Sequence, residues 1–91
     1  MSDEKNCLET ANELVSGDRN ADYGHPFHDF SRTAGMWSQI LGVEVTPEKV
    51  ALCMIAVKMS RLCNQYKADS VIDIAGYART LEMVREYRDQ Q

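Results

Sequence analysis

The sequence predicts an all-α fold, a four-helix bundle-like single domain over residues 1–91 with no strands. Four segments carry apolar residues at helical spacing, i, i+3 and i+4. Glycines at 17 and 42 and prolines at 26 and 47 lie between these segments, where helices stop and start. A chain of 91 residues has the length of one domain, and no internal repeat or linker divides it.

The first two helices are predicted to run from about Asp3 to Ser16 and from Pro26 to Gly42. Glycine is a stop signal after each, and a proline suits the first turn of a helix because its missing N–H is not needed there. The predicted inward stripes are Leu8, Ala11, Leu14 and Val15 on the first helix, and Phe27, Phe30, Ala34, Trp37, Ile40 and Leu41 on the second.

The third helix is predicted from Pro47 to about Tyr66, with Thr46 as its N-cap. Its centre, from Val50 to Val57, is apolar on every side. A helix that is apolar all round is usually buried on several faces, so the pattern predicts that this is the central helix.

The fourth helix is predicted to open on a capping-box variant, Ser70-x-x-Asp73, and to continue to about Arg88. Its inward stripe is predicted to be Val71, Ile74, Ala75, Ala78 and Leu81. The opposite stripe holds Asp69, Asp73, Gly76, Thr80 and Tyr87, and it faces solvent, a second subunit or a site shared with the third helix.

Composition excludes several classes of protein. The net charge is −4, from 14 acidic and 10 basic residues, which argues against a duplex nucleic-acid binder. No run of about 18 apolar residues is present, so no membrane span is expected. The N-terminus is acidic and lacks a secretory pattern. The three widely spaced cysteines contain no C-x-x-C pair, which favours reduced thiols in a cytoplasm over a zinc site.

The segment from Asn20 to Phe30 concentrates polar and aromatic side chains in one corner. Asp22 can form an Asx turn, and Gly24 can adopt a positive φ. Tyr23 and Phe27 could stack on a planar base, and His25 and His28 could bind phosphate or act as acid or base. A structured turn with aromatic anchors explains the same residues, so both interpretations stay open.

Two cations, Lys58 and Arg61, lie three residues apart in the most apolar helix and therefore share a face. Asp69 and Asp73 are their natural partners, because they are four apart on the next helix. A carboxylate pair of this kind can hold Mg²⁺ carrying a phosphorylated substrate. The alternatives are a solvated cationic stripe and acids that merely cap a helix. Glu9 and Glu13 would become metal ligands only if the fold placed them opposite the two aspartates.

These motifs together resemble a small family of phage-encoded helical proteins. The resemblance rests on Arg19-x-x-Asp22-Tyr23-Gly24-His25-Pro26-x-x-x-Phe30, on Lys58-x-x-Arg61, and on Asp69-x-x-x-Asp73-x-x-Gly76-Tyr77-Ala78. It covers the chain from about Ala11 to Val84. It implies a setting, the cytoplasm of a host cell, more than an activity.

More remotely, the pattern looks like the all-α nucleoside triphosphate pyrophosphohydrolases, the MazG-like and dimeric dUTPase group. In that group acids on two helices hold Mg²⁺ and basic residues meet phosphate. The resemblance implies Asp69 and Asp73 as metal ligands and catalytic residues. This chain departs from the group's Glu-x-x-Glu and Glu-x-x-Asp helices, which leaves open whether it is an enzyme.

Three hypotheses follow. The first is binding, with or without hydrolysis, of a nucleotide or related phosphorylated ligand: Lys58, Arg61 and Arg19 would meet phosphate, Tyr23 or Tyr77 would stack on the base, and His25 or His28 would act as a base. The second is a non-catalytic protein that binds a host protein or traps a nucleotide signal. The third is a self-associating structural helper, a homodimer or higher oligomer, with the second face of the fourth helix as its seam.

Overall fold

The computed structural model describes residues 4–17 and 22–91. Four long helices follow one another in this part of the chain, and it contains no strand. They are α1 (Cys7–Ser16), α2 (Pro26–Leu41), α3 (Pro47–Asn64) and α4 (Ala68–Asp89). The predicted all-α, bundle-like fold is confirmed. No helix of the described residues combines the length and the apolar character that crossing a membrane requires.

Side-chain caps set where the first three helices begin. Helix α1 starts at Cys7, because the Asn6 side chain accepts from the Glu9 N–H at 2.9 Å while Glu9 Oε1 accepts from the Asn6 N–H at 3.0 Å. The predicted start at Asp3 lies outside the described residues. Thr46 caps α3 as predicted, accepting from the Lys49 N–H at 3.2 Å.

Helix α2 ends as predicted at Gly42, which adopts φ 73°. Helix α3 ends two residues before the predicted Tyr66. Helix α4 begins at Ala68, before the predicted Ser70 cap, and its N-cap residue Lys67 makes no side-chain cap bond. Ser70 is instead buried, so the predicted capping box is wrong.

The central position belongs to α4, which packs against each of the other three helices, whereas α3 packs only against α2 and α4. The prediction that α3 is the central helix is therefore wrong. Val50 and Ala51 are buried in it, but Leu52, Val57 and Met59 on its other side are 52 %, 42 % and 56 % exposed.

The core is small and lies where α2, α3 and α4 meet. Its buried members are Phe30, Ala34, Val50 and Ala51, and the side chains of Trp37, Val45, Met54, Tyr77 and Leu81 pack against them. The predicted inward residues Ile40 and Leu41 of α2, and Leu8 and Leu14 of α1, are exposed instead.

Thr80 is the buried member of the polar stripe of α4 whose role the sequence leaves open; Gly76 and Tyr87 are half-buried and Asp69 is exposed. Thr80 is 2 % exposed and Val84 is 0 % exposed, while Ala78 of the predicted stripe is exposed. Helix α1 lies directly over this stripe, since a Cβ built on Gly76 would sit 3.7 Å from Val15 Cγ2. The stripe is therefore not available as a dimer seam along this stretch.

Candidate functional site

A polar groove of about 650 Å³ lies where α3 ends and α4 begins. Four of the predicted site residues line it: Lys58, Arg61, Asp69 and Asp73. The rest of the lining is Ser60, Asn64, Gln65, Lys67 and Ser70. The cations of α3 and the acids of α4, which the sequence pairs as natural partners, therefore line one groove.

An ion pair organises this groove. Lys58 Nζ lies 2.9 Å from Asp73 Oδ2, and the lysine side chain is 13 % exposed while the aspartate is 39 % exposed. A charge that is mostly removed from water must be paired, and Asp73 supplies the partner. The charges of Lys58 and Asp73 offset each other. The groove then has two further cations, Arg61 and Lys67, against one further acid, Asp69, so it is locally positive although the chain carries −4.

A second, apolar cleft of about 250 Å³ adjoins the groove between α1 and α4. Asp73 lines both spaces. The other lining residues are Ala11, Leu14, Val15, Ile72, Gly76, Tyr77 and Thr80. Tyr77, predicted as a stacking residue, lies at this cleft, with its ring 6.3 Å from that of Phe30.

The predicted loop residues lie elsewhere. His25 and His28 contact Tyr87 near the end of α4, with ring centroids 4.8 and 5.1 Å away. Tyr87 follows Asp73 by fourteen residues, or roughly 21 Å at 1.5 Å of rise per residue. The structure therefore does not bring the histidines together with the aspartates, so the part of the first hypothesis that gives His25 or His28 to the same site as Asp69 and Asp73 is wrong.

His25 has a structural task in this second cluster. Its Nδ1 accepts from the Phe27 N–H at 3.0 Å and so caps α2. Burial lowers the pKa of His25, the neighbouring His28 lowers it further, and Glu86 acts in the opposite direction. A neutral imidazole is the form that this cap requires, because a protonated Nδ1 cannot accept.

Aromatic stacking completes the cluster. Phe27 stacks on Tyr87 with ring centroids 4.6 Å apart, and the Tyr87 hydroxyl lies 3.1 Å from His28 Nε2. Arg88 lies over the Phe27 ring, 5.9 Å from its centroid, and also pairs with Glu48 of α3. These contacts join the start of α2 and the start of α3 to the end of α4.

The remaining predicted residues divide as follows. Asp22 and Gly24 are exposed, and Gly24 has the expected positive φ, 78°. Tyr23 is 54 % exposed. Arg19 lies outside the described residues. Glu9 caps α1, and Glu13 pairs with Lys5 at 2.6 Å, so neither lies opposite Asp69 and Asp73 as a metal ligand.

The donor set for magnesium is limited to two carboxylates. No group of three or more His, Cys, Asp or Glu side chains that could hold a metal occurs in residues 4–17 and 22–91. Asp73 is already paired with Lys58. A dedicated protein cage for Mg²⁺ is thus not present in that part of the chain, although two carboxylates suffice where substrate phosphates provide further ligands.

Sequence reasoning missed Lys67 and misplaced Leu14. Lys67 was detectable, because it lies in a polar run between the cations of α3 and Asp69. Helical spacing predicts Leu14 in the core, and only the packing of α1 on α4 shows that it borders a cleft. Gly76 and Thr80 carry no apolar signal, so the burial of Thr80 and the close approach of α1 to Gly76 were not visible to a hydropathy pattern.

Comparison with known proteins places the chain among phage proteins. It is 43 % identical over 86 residues to the Gene 55 protein of Mycobacterium phage L5, an alignment that covers 92 % of this chain and 55 % of that protein. It is 39 % identical over 83 residues to the Gene 55 protein of Mycobacterium phage D29, covering 90 % and 55 %. The chain thus spans about half the length of these curated relatives.

These relatives confirm the predicted resemblance to phage proteins, while the likeness to MazG-like enzymes stays a prediction. No solved structure matches the chain. Residues 6–85 match the model of one family, described as a domain of unknown function, DUF6378. Because that match takes in most of the sequence, the chain belongs to the DUF6378 family.

Proposed function

We propose that this protein binds a nucleotide or a related phosphorylated ligand, with the phosphates in the polar groove and the base in the adjoining apolar cleft. The observation that carries the proposal is the meeting of Lys58, Arg61, Asp69 and Asp73 in one groove. Cations from α3 and Lys67 supply the charge that phosphate needs. The groove volume lies within the roughly 300–1,000 Å³ common for small-molecule sites.

The cleft supplies the apolar half of the site. Its lining of Leu14, Ile72 and Tyr77 suits the face of a planar base. Asp73, common to both spaces, would mark the junction between phosphate and nucleoside. A ligand with one charged and one aromatic end fits this arrangement better than inorganic phosphate alone.

The proposal concerns binding and assigns no catalytic step. The histidines predicted as bases lie at the other end of α4, roughly 21 Å away along the helix. Mg²⁺ enters the proposal as an ion that accompanies the phosphates on Asp69 and Asp73, since one or two carboxylates plus substrate phosphates are its common protein setting.

Calorimetry with nucleoside triphosphates and pyrophosphate, with and without Mg²⁺, tests the proposal. Arg61→Gln is expected to weaken binding about tenfold, which corresponds to the loss of one charge-assisted contact. Arg85→Gln is the matched control, because Arg85 is an exposed α4 cation at the far end of the bundle. No binding by any of these ligands, or equal loss in both variants, contradicts the proposal.

The contribution of the cleft is separable. Leu14 lines the cleft but is 55 % exposed, so Leu14→Asn changes the cleft with little effect on folding. We expect this variant to bind nucleoside triphosphates several-fold more weakly than the wild type and to bind pyrophosphate with unchanged affinity. A matching loss for both ligands would show that the base lies elsewhere.

A further inference from the structure

The protomer exposes more surface than a compact protein of its size. Its accessible surface is 6314 Å², whereas a compact monomer of 10.3 kDa exposes about 5,350 Å², so the excess is about 960 Å². Its radius of gyration is 14.1 Å, against roughly 12 Å for a compact chain of this length. Both values indicate that the bundle leaves unburied surface.

The exposed apolar side chains concentrate on the hairpin formed by α2 and α3. Seven of the eleven large exposed ones in the described residues lie in or between these helices: Met36, Ile40, Leu41, Val43, Leu52, Val57 and Met59. On α3 the residues at positions 52, 53, 56, 57, 59 and 63 form one outer face. All six are exposed, and none is charged.

We infer that a second copy of this chain packs on the outer face of α3, as defined by these six residues. A standard interface buries about 800 Å² on each partner, and the excess surface of the protomer is of that size. The six positions carry no charge, and Lys49, which lies one turn before Cys53 on the same side of α3, is kept apart from its own copy when a two-fold axis passes near Ala56. Ala56 at the centre of this face allows the two helices to approach closely.

This pairing would also border the polar groove. Ser60 lines the groove and lies four residues from Ala56 and three from Cys63, on the same side of α3 as the outer face. A second copy seated on that face would therefore flank the groove. Neither the exposed area nor the charge of this face depends on what the groove binds.

The mass in solution tests the inference. We expect the wild-type chain to have about twice the protomer mass of 10.3 kDa by light scattering at micromolar concentration. Val57→Glu places a charge on the outer face and is expected to weaken association at least tenfold. Leu8→Glu is the matched control, because Leu8 is 67 % exposed on α1, which does not pack against α3.

Alkylation of the wild-type chain gives a second readout that does not depend on a variant folding. Cys53 is exposed in the protomer, so its reaction with a maleimide should slow as protein concentration rises, measured against Cys7 in the same chain. A wild-type monomer at all concentrations overturns the inference. So does a dimer that survives Val57→Glu but not Leu8→Glu, or a face that is covered only when a different protein is added.

Discussion

Lys58 Nζ and Asp73 Oδ2 lie 2.9 Å apart and join the middle of α3 to the second turn of α4. The lysine reaches this pair from the most apolar stretch of the chain, and its side chain is 13 % exposed. The pair therefore shapes the groove and also holds two helices together, so its two roles need separate measurements.

The first prediction concerns the stability of this pair. Asp73→Asn leaves a mostly buried ammonium without its carboxylate, and we expect the free energy of unfolding to fall by about 1–3 kcal/mol, between the values for exposed and buried pairs. Glu13→Gln in the Lys5–Glu13 pair is the control, since both side chains there are more than half exposed. It should cost less than about 0.5 kcal/mol. Equal costs in urea denaturation would show that burial adds nothing to the Lys58 pair.

The second prediction compares two glycines of α2. Gly42 ends the helix with φ 73°. L-amino acids adopt this left-handed conformation at a cost of about 1–2 kcal/mol. Gly42→Ala should therefore lower the free energy of unfolding by about that amount. Gly35 lies inside the same helix, and a Cβ added there would have no neighbouring atom within 4 Å. Gly35→Ala should therefore raise the free energy of unfolding by about 0.5–1 kcal/mol. Shifts of the same sign in the two urea midpoints would refute this account.

The helices were predictable where local chemistry decides their ends. Thr46 before Pro47, and Gly42 after α2, act through the backbone of their own segment, and both hold in the structure. The start of α4 was not predictable in this way. Ser70 has the residue type of a cap, but tertiary packing buries it, and the helix continues backwards to Ala68.

Helix orientation was harder to predict, because hydropathy does not register close packing. Gly76 and Thr80 are small enough for α1 to approach α4 closely, with Val15 and Ala11 at or within 4.0 Å of a Cβ built on Gly76. This close approach, and not apolar character, accounts for the burial of Thr80. The groove was predictable from the spacing of its charges. The distance between His25 and the groove was not, because it depends on which elements pack against each end of α4.

The third prediction concerns Tyr87. Tyr87→Phe keeps the stacking on Phe27 and loses the hydrogen bond with His28, and we expect a loss of about 0.5–1.5 kcal/mol in unfolding free energy. Tyr87→Ala also removes a half-buried ring and should cost roughly 2 kcal/mol more, below the value for a fully buried aromatic. Tyr66→Ala is the control at a 72 % exposed ring, where a change within about 0.5 kcal/mol is expected. A Tyr87→Ala variant as stable as this control would mean that the cluster does not hold α2 to α4.

The fourth prediction is a pH dependence set by His25. Burial and the nearby His28 lower its pKa below the usual 6.5, so the unfolded chain takes up the proton more readily than the folded one. The stabilisation from this group is complete above about pH 6.5 and is lost as the pH falls through the lower, folded-state pKa. Protonation also removes the acceptor that caps α2 at the Phe27 N–H. His25→Asn supplies a cap that does not titrate, and its unfolding free energy should fall less steeply than that of the wild type between about pH 6.5 and 5. His25→Ala, which lacks any cap, should lose about 1 kcal/mol at pH 7.5. If the free energies of unfolding of the wild type and His25→Asn, measured by urea denaturation, fall in parallel as the pH is lowered, another group causes the loss of stability at acidic pH.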